Sequence, residues 1–288
     1  WLLCKKLGVK KLKVGHSGTL DPLATGVVVV CTGKKTKLID QLQAHQKEYV
    51  ATLQLGATTP SFDLEKEIDA TYPTAHITRA LIDEVIPTFE GEQWQVPPMF
   101  SAVKVDGKRA YKLARQGEEV ELKAKLLVID EIEIQGFDEQ AMQLTLRIVC
   151  SKGTYIRTLC HDIGKELGVG GAMETLKSTK VGHFAIENAL TLDEVSDIIH
   201  NEPEKINSYI MPVTEAFVNL KDAYVLAEFD KYLYNGNPLK CKYIKDFAGL
   251  NLNDMENIKV YDSNENFVGV FAYNMADKML KVVKMFLS

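Results

Sequence analysis

The sequence predicts an α+β fold: a mixed, mainly antiparallel sheet flanked by helices, followed by a small β-barrel-like domain. Three observations predict it. Residues 49–55 alternate, with Tyr49, Ala51, Leu53 and Leu55 on one face and Val50, Thr52 and Gln54 on the other, the period of a half-buried strand. Two long strand-like runs, 120–134 and 142–151, lead into a helical pattern that reaches Leu167. Beyond Pro212 the character changes to short β-rich runs at 240–244, 258–262, 267–273 and 280–283, with Ser263-Asn264-Glu265-Asn266 as a turn between two of them.

Composition bounds the reading. A chain of 288 residues is comfortable for two domains, placed here at 1–215 and 222–288. Hydrophobic content of 46% and charged content of 25% are globular proportions. No apolar run approaches the roughly 20 residues that cross a bilayer, and no secretory leader is expected, so the expected location is cytoplasmic and away from membranes. Five cysteines (Cys4, Cys31, Cys150, Cys160, Cys241) are scattered, odd in number and without Cys-x-x-Cys, which argues against a disulfide framework and against zinc. The net charge of −5 is unusual for a nucleic-acid binder, but it is unevenly spread. Residues 1–40 carry net +6 and residues 62–93 net −6, so local phosphate attraction is retained beside the N-terminal part.

Taken in order, residues 1–10 read as an amphipathic helix ending near Gly8. The stretch that organises the chain follows: Gly15-His-Ser-Gly-Thr-Leu-Asp21-Pro-Leu-Ala-Thr-Gly26. Its three glycines permit positive φ, and Pro22 fixes φ directly after Asp21. Val27-Val-Val-Val-Cys31 then reads as a buried strand. An acidic side chain is thus displayed on a stiff loop beside the core. Ordinary turn chemistry accounts for His and Asp in such a loop. A phosphate cradle lacks its Gly-Lys-Ser/Thr ending, and a phosphoryl-accepting aspartate would want a metal and a second nearby carboxylate.

Residues 34–43 read as a helix, and residues 77–89 as another with Leu81, Ile82, Val85 and Phe89 on one face. Pro97-Pro98 marks a boundary, Asp106-Gly107 a hairpin turn, and 109–115 a short helix ended by Gly117. Thr154 is the expected cap of the helix that reaches Leu167. Arg157 then falls in the first turn, unfavourably placed against the helix dipole, which points to a partner such as a carboxylate, the alternative being an exposed surface arginine. Cys160-His161-Asp162 are neighbours on different helix faces and do not form a nucleophile pair.

The Gly15–Gly26 stretch resembles the catalytic motif of the TruB family, the tRNA pseudouridine-55 synthases. The resemblance extends to Lys47-Glu48-Tyr49, to Gly56-Ala-Thr-Thr-Pro-Ser-Phe-Asp63, to Pro97-Pro-Met-Phe-Ser-Ala-Val-Lys104, to Ser151-Lys-Gly-Thr-Tyr-Ile-Arg157 and to Leu176-Lys-Ser-Thr-Lys-Val-Gly-His-Phe184. Lys177 stands where the family usually has Arg. By this resemblance Asp21 is the essential carboxylate, Arg157 its partner and Tyr49 the tyrosine that stacks on the flipped base. His16 fills the gap that the base leaves, and Lys37, Asp63 and Leu176 lie near the bound nucleotide. The resemblance implies glycosidic cleavage, base rotation and rejoining through carbon in a tRNA T-loop uridine (position 55), with no cofactor and no metal. Attack by Asp21 on the sugar C1′, attack on the base, and stabilisation of a cleaved sugar all remain open. The partner implied is the tRNA T-arm stem-loop, the C-terminal domain a PUA-like RNA-binding unit, and the protein a monomer. Since the chain opens on Trp1, the family's preceding strand and Lys-Pro motif are expected to lie upstream. The alternatives are a non-catalytic tRNA-binding or RNA-folding protein on the same scaffold, and a metal-dependent phosphate-transfer enzyme using Asp21.

Overall fold

The computed structural model describes residues 12–118 and 120–287; the helix expected over 1–10 and Cys4 lie outside the described residues. By packing, the chain divides into two units. One comprises Gly15–Cys31 and Ile39–Thr191; the other comprises Thr32–Leu38 and the chain from Leu192 onward, with the described residues up to Val14.

The first unit is built on a seven-stranded sheet. Its strands are β1 (Ala24–Gly26), β2 (Lys47–Leu55), β3 (Gly91–Gln95), β4 (Lys125–Asp138), β5 (Gln143–Cys150), β6 (Gly171–Val181) and β7 (Phe184–Ala185). The order is β7-β6-β2-β5-β4-β3, all antiparallel, with the short β1 added parallel to β6. Alternation dictates which face is buried: Ala51, Leu53 and Leu55 on β2 and Leu144, Leu146 and Ile148 on β5 are sealed inside, whereas Val50, Thr52 and Gln54 stay partly exposed. Each large side chain so buried contributes roughly 1.5–3 kcal/mol of transfer free energy. Two helices cover the face. α1 (Arg79–Val85), capped by the Thr78 hydroxyl, continues as a 3-10 turn into which Pro87 fits, and buries Ile82 and Ile86. α2 (Ile156–Glu166) buries Ile156, Leu159, Cys160 and Ile163. Gly164 lets α2 lie directly on the backbone before β6, since a Cβ there would stand 2.2 Å from the Gly170 carbonyl carbon.

The Asp106-Gly107 turn forms as expected. Both residues have positive φ (49° and 83°) and join Lys104–Val105 to Lys108–Arg109, with a one-and-a-half-turn helix over Ala110–Ala114 behind them.

Several expectations are corrected. Residues 27–31 are not one buried strand: Val28 and Val30 are exposed, Val27 and Cys31 are buried, and the strand is only Val30–Thr32. Here the apolar run is a loop wall with alternate side chains turned outward. The helix expected over 34–43 begins as a 3-10 segment, Gly33–Leu38, and becomes α-helical only over Ile39–Ala44. Thr154 does not cap α2. Its hydroxyl donates to the Ser151 carbonyl, and the cap residue is Tyr155, in extended geometry and without a side-chain cap.

The second unit holds a five-stranded sheet of β8 (Asp222–Tyr224), β9 (Leu239–Lys240), β10 (Asn257–Tyr261), β11 (Phe267–Asn274) and β12 (Met279–Met285). The order is β8-β10-β11-β12-β9, with β8 parallel to β10 and the rest antiparallel, around a core that includes Val225, Leu239, Ile258, Val260, Phe271 and Leu280. The turn at 263–266 is pinned by Asp262, whose carboxylate accepts from the Asn264 and Asn266 backbone amides. The strand expected over 240–244 breaks after Lys240 into a 3-10 turn, Cys241–Tyr243. Adjacent Tyr243 and Ile244 are both buried in the same core, and Tyr243 stacks on Phe229 at 3.8 Å.

Candidate active site

The site is built around one guanidinium. Arg157 sits in the first turn of α2, where the helix dipole opposes it, and its side chain is only 4% exposed. Four hydrogen bonds and a second ion pair compensate. Nε donates to Asp21 Oδ2 (3.0 Å) and Nη2 to Asp21 Oδ1 (2.9 Å), a two-point fork. Nη2 also donates to the Phe100 carbonyl (3.0 Å) and Nη1 to the Ser61 carbonyl (3.3 Å), while Nη1 lies 3.4 Å from Asp63 Oδ2. Loops far apart in sequence therefore meet at one cation.

Each loop is shaped for its task. Asp21 begins a turn with Pro22 at its second position, closed by the Ala24 amide donating to the Asp21 carbonyl (2.9 Å). The turn leads into β1, which lies along β6 with Leu176 opposite Ala24 and Ser178 opposite Gly26. Gly26 has φ +106°, and a Cβ there would stand 2.1 Å from the Ser178 carbonyl oxygen, so only glycine permits this approach. Asp63 is fully buried; its Oδ1 accepts from the Ser61 hydroxyl (2.6 Å) and the Glu65 amide (3.1 Å). Between Ser61 and Asp63 stands Phe62 at φ 64°, a left-handed conformation that a bulky residue rarely adopts, with its ring stacked on His161 of α2 at 4.0 Å.

Burial is the largest influence on the Asp21 carboxyl and raises it above the ordinary aspartate value; Arg157 pulls it down, and Asp63 and Glu65 add to the rise. The guanidinium thus moderates the cost of placing this carboxylate in a largely dry site without cancelling it. Tyr49 is on the core-facing side of β2, opposite Ser178 of β6 and Ile148 of β5. Burial, then Cys150 and Asp21, push its phenol well above its usual range.

The other expected residues fall in varied places. His16 is exposed at the end of the strand Val14–His16, and its Nδ1 donates to the Gly18 carbonyl. Leu176 is buried in the first unit's core, opposite both Ala24 and Ala51. Lys37 is exposed on the 3-10 segment Gly33–Leu38 of the second unit, where its carbonyl accepts from Lys284 Nζ. Four participants were not anticipated: Ser61, the Phe100 carbonyl, Gln95 and Tyr155. Gln95 and Tyr155 are joined by two hydrogen bonds between the Gln95 amide and the Tyr155 backbone. Tyr155 lies close enough to Arg157 and Asp21 to feel both charges, and burial raises its phenol. Nothing in residue periodicity marks such groups, since three of them act through backbone atoms. Elsewhere, a polar cavity of about 270 Å³ is lined by Glu48, Glu131, Arg147 and Lys180, none of them a site candidate. Among the described residues no cluster of three His, Cys, Asp or Glu side chains has the arrangement to hold a metal ion. Nor is any described helix long and apolar enough to cross a membrane.

Comparison with known proteins fits this geometry. Residues 5–156 match the TruB family pseudouridylate synthase (N terminal domain), and residues 157–218 match the tRNA pseudouridylate synthase B C-terminal domain. The fold is that of a Cbf5 chain solved in a Cbf5–Nop10–Gar1 complex, with a TM-score of 0.73 over 99% of this chain and 79% of that one at 24% identity. It is also that of a chain from an H/ACA RNP bound to a substrate RNA containing 2′-deoxyuridine, with a TM-score of 0.70 at 21% identity over 99% of this chain and 79% of that one. The family models define an enzyme of the pseudouridine synthase class. The tRNA pseudouridine synthase B of Phocaeicola vulgatus is 62% identical over 191 residues, 66% of this chain and 80% of that protein. The protein of the same name from Lachnoclostridium phytofermentans is 40% identical over 300 aligned positions, 99% of this chain and 94% of that protein. The chain belongs to the TruB family.

Proposed function

We propose that this enzyme isomerises the T-loop uridine at position 55 of tRNA to pseudouridine, with Asp21 as its essential carboxylate. The observation that carries the reading is the fork from Arg157 to Asp21 (2.9 and 3.0 Å), which holds a carboxylate in one orientation at the edge of the core. The reaction breaks the bond from C1′ to N1, turns the uracil, and forms a bond from C1′ to C5; the C5 proton leaves and N1 regains one. No electron is transferred and no atom is added, so the balance calls for no oxidant, reductant or co-substrate, and the reaction is assigned here to the chain's own side chains. Tyr49, a neutral phenol beside the carboxylate, stacks on the extruded base. Arg157 orients Asp21, and Asp63 braces Arg157 from below. His16 fills the space vacated by the base, Leu176 forms apolar floor, and Lys37 meets the RNA backbone.

Residues 1–215 form the catalytic domain in this reading, and residues 222–288 a PUA-like domain that binds RNA. The substrate is the T-arm stem-loop, engaged by a monomer in the cytoplasm. The relatives named tRNA pseudouridine synthase B support the choice of tRNA.

The test is tritium release from tRNA transcripts labelled at uridine C5, in EDTA, for the parent and Asp21→Asn. Release by the parent alone, lost when the T-loop uridine is replaced, is the expected result. No release by folded protein that still binds the tRNA would favour the RNA-binding alternative.

A further inference from the structure

We infer that Gln95 is a positioning residue for the proposed reaction: its side-chain amide fixes the start of α2 and so sets where Arg157 presents its fork to Asp21. This inference rests on the functional reading above.

Gln95 is the last residue of β3 and is 5% exposed. A buried amide needs partners for both ends, and here both ends grip one residue. Nε2 donates to the Tyr155 carbonyl (3.0 Å), and Oε1 accepts from the Tyr155 amide (2.8 Å). Tyr155 is the residue that caps α2. Its carbonyl also accepts the first intrahelical bond, from the Leu159 amide (3.1 Å). No side chain caps this end from within, because the Thr154 hydroxyl is spent on Ser151. The start of α2 is therefore anchored to the sheet edge by an amide 60 residues upstream. Five residues beyond Gln95, the Phe100 carbonyl accepts from Arg157 Nη2. One short segment thus holds Arg157 twice, through the backbone of its helix and through its guanidinium.

The consequence is geometric. A fork with bonds at 2.9 and 3.0 Å tolerates little rotation. If the first turn of α2 drifts, Arg157 remains charged and nearby but no longer faces both Asp21 oxygens. The Asp21 carboxyl then loses part of the influence that draws it downward, while burial continues to push it up. The ionised form is lost at higher pH than in the parent, and misalignment costs turnover more than RNA affinity.

The experiment measures steady-state tritium release from a T-arm stem-loop labelled at uridine C5, across pH, for the parent, Gln95→Met, Gln95→Glu and Asp21→Asn. Gln95→Met keeps the volume and removes both bonds. It should lose about 10- to 100-fold in kcat, the scale of an ångström of misplacement, with KM little changed and the acid limb moved to higher pH. Gln95→Glu keeps the acceptor for the Tyr155 amide but sets a carboxylate oxygen against the Tyr155 carbonyl in a buried place, so it should lose kcat at least as heavily as Gln95→Met. It also carries the test if Gln95→Met does not fold, as judged by circular dichroism. Parent-like kcat in Gln95→Met, or a kcat loss with the acid limb unmoved, would overturn the inference. Release by Asp21→Asn would instead overturn the functional reading, which separates the two failures.

Discussion

Arg157 and Asp21 meet through two nearly equal bonds, 2.9 and 3.0 Å, from residues 136 positions apart. The same guanidinium serves Asp63, whose Oδ2 lies 3.4 Å from Nη1 and accepts no hydrogen bond. One cation thus stands between two carboxylates, one at the rim and one sealed in. Removing it strands a buried anion. We predict that Arg157→Met lowers stability by about 3–5 kcal/mol, the cost of breaking a buried pair from one side. Arg157→Lys keeps the charge but cannot reproduce the fork and also satisfy the Phe100 and Ser61 carbonyls, and should lose about 1–3 kcal/mol. Urea unfolding measures both; parent-like stability of Arg157→Met would show that the network contributes little to the fold.

The pH dependence follows from the upward displacement of the Asp21 carboxyl, caused mainly by burial. Between the ordinary value of 3.8 and its raised value, the folded protein holds a proton here that the unfolded chain has released. The contribution of this group to stability therefore falls as pH rises through that window. Turnover runs the other way, because the proposed reaction uses the ionised form. Asp63 adds to the rise, so Asp63→Asn should move the acid limb of single-turnover rates to lower pH. The Asn oxygen keeps the two bonds now made to the Ser61 hydroxyl and the Glu65 amide, while its amide nitrogen replaces the oxygen that pairs with Arg157. An unmoved acid limb would mean that the two carboxyls do not interact.

How much of this was legible in the sequence depends on which atoms carry the contact. The strand at β2 was plain, because its alternation survives in the burial of Ala51, Leu53 and Leu55. The placement of Arg157 against a helix dipole marked it as a residue with a partner, and the structure supplies Asp21. Residues 27–31 misled because an all-apolar run looks the same whether or not every other side chain faces out. Thr154 misled because a hydroxyl near a helix start can donate backward as readily as it accepts forward. Ser61 and Phe100 lie in segments that the family resemblance singles out, but nothing marks their carbonyls as the contacts, since backbone oxygens are identical in every residue. Gln95 was invisible for a related reason: its partner is the main chain of Tyr155, not a complementary side chain.

Gly26 offers a sharper test of the loop. Its φ of +106° and the Ser178 oxygen only 2.1 Å from a would-be Cβ combine strain with a clash against immobile backbone. Gly26→Ala must push β1 away from β6 and, with it, the turn that carries Asp21. We predict a loss of about 2 kcal/mol or more in chemical denaturation, together with a fall in tritium release. Retention of both would mean that the Asp21 turn is set independently of β1.

Phe62 makes the last prediction, an inversion of the usual ranking of alanine and glycine. Its φ of 64° is unfavourable for any residue with a Cβ, yet its backbone is fixed on both sides: its amide donates to the Thr59 carbonyl, and its carbonyl accepts from the Met173 amide. The ring stack on His161 offsets part of that strain. Either small residue forfeits the stack, but alanine also keeps the strained conformation, which glycine adopts freely. Phe62→Gly should therefore be more stable than Phe62→Ala by about 1 kcal/mol, although glycine is normally the poorer choice. Turnover should rank the same way, because Phe62 is flanked by the Ser61 carbonyl that binds Arg157 and by Asp63. Paired urea titrations and tritium release decide it. Equal or greater stability for alanine would mean that the loop escapes its left-handed conformation once the ring is gone, and that the stack on His161, rather than the 59–63 backbone bonds, holds Ser61 and Asp63 against Arg157.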